Sequence, residues 1–171
     1  YLEVVEVLEH PAAEKATFGQ AVRARTETGG GWLGWTLEVD DMAPLEQRLN
    51  REAGVGSRQF PDGRRLEWEQ IGVRGFASDP QLPFFLKWTS EPDTHPSALG
   101  EGEIELVKIC IAGSRQRISD WLGFELGDSF DGVDYLWLRT PAYRGDGAGR
   151  VFNIAAFCLR LAARAKQLAR D

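Results

Sequence analysis

Histidine is nearly absent from this sequence. Only His10 and His95 occur in 171 residues, and each directly precedes a proline in a loop-like stretch. Catalytic zinc and iron sites usually take three protein ligands, with imidazole prominent among them. No metal site and no cofactor are therefore expected within these residues. Cysteine is equally scarce. Cys110 and Cys158 have apolar neighbours and read as reduced core residues, not as a disulfide framework. No apolar run approaches the roughly 20 residues a membrane span needs. The opening Tyr-Leu-Glu-Val-Val-Glu has neither the basic start nor the cleavage site of a secretory signal. A cytoplasmic protein without membrane partners is expected. Basic residues are not in excess either, and the net charge of −6 argues against a nucleic-acid partner. One stretch departs from this balance. Between Arg139 and Asp171 seven basic residues face two acidic ones, which suits a terminal helix and its dipole.

What is present is the pattern of a mixed sheet protein. A chain of 171 residues fits one large domain or two small modules, burying roughly 70% of the unfolded surface. Residues 1–8 carry strand character, ended by His10-Pro11. Residues 9–31 look like a loop closing on Gly29-Gly30-Gly31. Trp32 to Asp40 then alternates as a strand, with Leu33, Trp35, Leu37 and Val39 on one side. A helix is predicted from Met42 to about Ala53, with Pro44 in its first turn and Gly54 past its end. Pro61-Asp62-Gly63 marks a turn. Strands are predicted near 57–60, 65–73 and 82–89. After a linker over 91–102 the order recurs: a strand over 103–112, a helix capped by Ser114 and ended by Gly123, then strands at 124–128 and 133–139. A short strand at 151–154 and an amphipathic helix over 154–170 close the chain, after a Gly-rich stretch at 144–150.

Two successive βαβββ units, over 29–90 and 103–157, resemble the vicinal oxygen chelate superfamily. The phrases GGGWLGWTLEVDDM (29–42), PDGRRLEW (61–68) and LPFFLKW (82–88) are similar to the second module of bacterial glyoxalase-like domain proteins. Tyr-Leu-Glu-Val-Val (1–5) resembles the last strand of their first module, most of which would lie upstream. The resemblance implies an α+β fold of repeated βαβββ modules, forming curved mixed sheets with helices on the outer face. It also implies where a metal would sit in members that hold one: a histidine in a module's first strand and a glutamate in its last. Those places carry over to Gly34 and Lys87 in the first unit and to Leu106 and Asn153 in the second. Glu3 matches the last-strand glutamate of the first module and would ligate a metal only with help from upstream residues.

Alternation assigns the faces. Leu33, Trp35, Leu37, Leu66, Trp68, Phe84, Leu86 and Trp88 are expected against the helix. Trp32, Thr36, Glu67, Glu69, Phe85 and Lys87, with Glu3 beside them, are expected on the opposite, concave face as a ligand-binding set. The competing reading makes the charged members solvated cross-strand partners. Three functions follow: a glyoxalase-like protein binding a small organic molecule in a metal-free cleft, a metal-dependent lyase, isomerase or dioxygenase completed by an upstream segment, or a non-enzymatic interaction module. The amphipathic 154–168 helix, or a second copy of the chain in a homodimer, would cover Leu2 and Val4, left bare by an incomplete first module.

Overall fold

The computed structural model of the chain describes residues 3–75, 78–96, 98, 108–130 and 132–138. Its first elements are helices where the sequence predicted a loop. Pro11–Lys15 (α1) begins with His10 Nδ1 accepting from the Ala12 amide at 3.1 Å. Thr17–Glu27 (α2) follows one extended residue later. This helix buries only Ala21 and Val22. So small a stripe leaves almost no amphipathic periodicity to read. Residues 3–9, expected as part of a strand, form none.

The first sheet contains Thr36–Glu38 (β1), Gly54–Gln59 (β2), Arg65–Ile71 (β3) and Phe84–Trp88 (β4) in the order β1-β4-β3-β2. β1 runs parallel to β4, and the other pairs are antiparallel. Between β1 and β2 lies the helix Ala43–Leu49 (α3), with Asp41 Oδ1 accepting from the Ala43 amide at 3.1 Å. Asn50 ends it in the left-handed region at φ 48°, where a short polar side chain is tolerated. The β2–β3 turn is the Pro61-Asp62-Gly63 signal, with Gly63 at φ 91°.

The second sheet joins Lys108–Ala112 (β5), Ser129–Phe130 (β6) and Val133–Leu138 (β7) in the order β5-β7-β6. Arg115–Leu122 (α4) connects β5 to β6. Ser114 Oγ caps it, accepting from the Arg117 amide at 3.3 Å, and Gly123 at φ 81° ends it. β5 is parallel to β7, and β6 is antiparallel to it. Among the described residues the second unit thus repeats the first without a counterpart of β2.

The expected repeated βαβββ modules with curved sheets need correction. The fold is α+β with two mixed sheets and helices, but the sheets are open and not strongly curled. The cause is strand length. β1 has three residues and β6 two, and twist that accumulates residue by residue and strand by strand has little to build on. The strand and helix expected beyond Leu138, with the Gly-rich stretch and Cys158, lie outside the described residues, as do Leu106 and Asn153. No helix among the described residues is long and apolar enough to cross a membrane.

One core serves both sheets. Trp35, Ile71 and Phe85 meet Ile109, Ile111 and Tyr135 of the second sheet, with Met42, Ile118 and Leu122 from the helical side. Phe85 is 3% exposed and stacks on Trp121 of α4 at 5.9 Å between ring centroids. Trp121 Nε1 donates to the Pro83 carbonyl at 2.8 Å, and Arg117 pairs with Asp79 at 2.6 Å. Removing an aromatic side chain from such a position costs about 3–5 kcal/mol. Because α4 is held here, this face of the first sheet is closed. The opposite face carries the buried Leu66 and Leu86 and the half-buried Trp68 and Trp88.

Candidate functional site

Strand register decides which side chains share the open face. The pairs Thr36–Phe84, Glu38–Leu86, Leu86–Gln70, Gln70–Gly54, Trp88–Trp68, Trp68–Gly56 and Leu66–Arg58 place these residues in rows across the four strands. The closed face instead carries Leu37–Phe85–Ile71 and, past the reach of the helices, Lys87–Glu69–Val55. A groove runs over the open rows. Residues 3–5, Trp32 and the start of α2 at Ala16–Phe18 also line it, and the same space continues round the sheet to Leu37, Ile71, Ile109 and Tyr135 on the core side. The whole space, ≈ 2160 Å³ over both faces, exceeds the roughly 300–1,000 Å³ of enclosed small-molecule pockets, so a ligand on the open rows would occupy only a part.

The part with the most defined geometry lies around Trp68 and Trp88. Their rings meet edge to face, with centroids 5.8 Å apart and planes at 73°, an arrangement aromatic quadrupoles favour. Gly56 makes it possible. A Cβ at that position would fall on the Trp68 indole, so the ring lies across β2 only because the strand is bare there. Trp68 Nε1 donates to Gln70 Oε1 at 3.0 Å, which turns the Gln70 amide nitrogen, a double donor, to the other side. At the β1 edge Glu38 Oε2 stands 3.5 Å from His95 Nε2. The His95 ring packs edge-on against Trp88, with centroids 4.8 Å apart at 84°. The result is an aromatic floor bordered by one amide, one carboxylate–imidazole pair and the Thr36 hydroxyl.

The sequence-predicted set does not assemble. Trp32, Thr36 and Glu3 do line the groove. Glu67, Glu69, Phe85 and Lys87 are on the other face. Phe85 is in the core, Lys87 pairs with Glu69 at 3.7 Å and Arg65 pairs with Glu67 at 3.0 Å. These charges behave as cross-strand and neighbouring partners on a surface, where such pairs contribute about 0–1 kcal/mol. Trp68, Trp88, Gln70, Glu38 and His95 were missed. Apolar alternation alone could not find them, because Phe84, Phe85 and Leu86 are apolar on both faces and β3 carries Leu66 and Ile71 on opposite ones. The usable signal was the alternation of Gly54 and Gly56 in β2, which marks a strand face cleared for something else.

The metal places implied by the family do not converge here. Gly34 offers no ligand, and Lys87 is on the face away from the groove. Of the groove-facing strand positions only Glu38 has an ordinary ligand side chain, and with His95 it makes two, fewer than a catalytic site requires. Among the described residues no group of three or more His, Cys, Asp or Glu side chains is placed to hold a metal ion. The described residues do not fit a resident metal.

Comparison with known proteins agrees with the fold. The chain resembles the crystal structure of a hypothetical protein from Staphylococcus aureus, at 12% identity and a TM-score of 0.50, covering 76% of this chain and 65% of that one. The chain thus spans about two thirds of that structure's length, and at this identity the likeness concerns the fold alone. No curated protein matches the sequence. The sequence model of the Glyoxalase-like domain matches residues 1–123, and on that match the chain belongs to the glyoxalase-like domain family of the vicinal oxygen chelate superfamily.

Proposed function

We propose that this glyoxalase-like domain binds a small organic molecule on the open face of its first sheet, without a metal ion at the centre. The supporting observation is the Trp68–Trp88 floor, with centroids 5.8 Å apart, bordered by Gln70, Glu38 and Thr36. Small-molecule sites are typically apolar and aromatic, with a few placed polar groups that set orientation. An indole pair supplies contact area, and the single amide and carboxylate supply direction. Trp32 and Thr36 remain in the proposed binding set. Glu67, Glu69, Phe85 and Lys87 leave it, because a ligand in the groove has the sheet between itself and them.

Intrinsic tryptophan fluorescence titrated with a panel of aromatic alcohols and acids tests this reading. Saturable quenching with the same midpoint in buffer containing EDTA is expected. Trp68→Ala should raise that midpoint about tenfold, the scale of one lost aromatic contact with its buried area. Quenching that requires added Zn²⁺ or Mn²⁺, or that is indifferent to Trp68→Ala, would refute it.

A further inference from the structure

We infer that the groove selects organic cations, with the positive group held by Glu38 against the Trp88 wall. This rests on the groove reading above and names the ligand class it accepts. Glu38 is the one carboxylate among the register-defined positions on the open face. On that face it is next to Leu86, and Leu86 lies between Phe84 and Trp88 along β4. Leu86 is itself buried, at 8% exposed, so a cationic group would meet the 61% exposed Glu38 carboxylate at the β1 edge, with the half-buried Trp88 ring further along β4. Aromatic faces attract cations through their quadrupole, and ammonium-binding sites join such rings to an acid.

The exposed carboxylate has one close neighbour on this side among the described residues. His95 Nε2 is 3.5 Å from Glu38 Oε2, and the same imidazole packs edge-on against Trp88. Glu38 and the aromatic wall thus share one neighbour. Two of the three arginines lining the groove have aromatic partners elsewhere. Arg58 belongs to β2, at the far edge of the four-stranded sheet, where its guanidinium lies 5.4 Å from the Phe60 ring. Three strand spacings separate it from Glu38, on the order of 14 Å. Arg51 lies 5.6 Å from the Trp121 ring on the closed side, and Arg74 is in the exposed turn after β3. With Glu38, the lining residues Glu3 and Glu52 balance Arg51, Arg58 and Arg74 in number, so the preference rests on the place of Glu38 itself. A net charge of −6 favours the approach of cations from solution.

The test compares three probes that share one ring: benzyltrimethylammonium, benzyl alcohol and phenylacetate. Affinities are read by NMR from the indole Nε1–H resonances of Trp68 and Trp88 at low ionic strength. The cation should bind at least about tenfold tighter than the alcohol, with phenylacetate weakest. Added salt should narrow that gap, because the charge is partly exposed. Glu38→Gln should bring the cation to within about twofold of the alcohol. Equal binding of cation and alcohol to the unaltered protein would overturn the cation inference and leave the groove reading standing. A preference that survives Glu38→Gln would also overturn it. If none of the probes moves either indole, both readings fall together.

Discussion

Single side chains in this domain show how far a local signal can be trusted. Asp62, in the β2–β3 turn, accepts from the Arg64 backbone amide at 3.0 Å and from its guanidinium at 2.7 Å. The backbone hydrogen bond, with the side-chain one next, holds its carboxyl below the usual aspartate range. Because the folded value is depressed, this turn's contribution is complete above the unfolded aspartate pKa. It is lost as pH falls through the folded value. A carboxyl-detected NMR titration should place the Asp62 midpoint below an ordinary aspartate, and Arg64→Ala should move it back up. An unmoved midpoint would show that the Arg64 side chain has no part in it. Here the Pro-Asp-Gly motif was fully legible, since everything it needs is within three residues. The charges Glu67, Glu69 and Lys87 were legible as partners but not as to their place. Their pairing follows from β-strand neighbourhood, whereas the face they occupy depends on what packs beneath.

At the scale of elements, β2 is the informative strand. Gly54 and Gly56 both belong to the open face, yet their surroundings differ. A Cβ at Gly54 would meet only the Gln70 carbonyl oxygen, at an ordinary 3.9 Å, while one at Gly56 would fall on the Trp68 indole. An aromatic ring lying over a bare glycine is a known device for pinning strand register. Gly54→Ala should therefore be neutral or stabilising by up to about 1 kcal/mol, through the entropy of the unfolded chain. Gly56→Ala should be destabilising by about 1–3 kcal/mol, as overpacking is, and should shift the Trp68 indole resonance. Chemical denaturation of the two variants separates them, and equal effects would mean that Trp68 does not lie over β2. The same elements explain which parts of the fold could be read in advance. β3, β4, α3 and α4 were found because caps, turns and short apolar runs mark them locally. α1 and α2 were missed because their buried stripe is two small residues. The open and closed faces of β3 and β4 were exchanged because apolar side chains occur on both. Only the parallel pairing of β1 with β4, setting Leu37 beside Phe85, decides the matter, and that pairing joins residues almost fifty positions apart.

For the molecule as a whole, the second unit supplies cover. α4 and β5–β7 join the core beneath the first sheet. The opposite face, with Leu66 and Leu86 buried and Trp68 and Trp88 half-buried, borders the N-terminal segment, the start of α2 and Trp32. The central claim is that this opposite face, and not the charged edge around Lys87, meets the ligand, and that it does so without a metal. Chemical-shift mapping of the uniformly ¹⁵N-labelled protein in EDTA, titrated with benzyltrimethylammonium, tests this most directly. The account predicts saturable shifts at the Trp68 and Trp88 indoles, the Gln70 side-chain amide and the Thr36 and Glu38 backbone amides, with Glu67, Glu69 and Lys87 little changed. Shifts centred on Glu69 and Lys87, or shifts at the indoles that appear only when a divalent metal is restored, would contradict it.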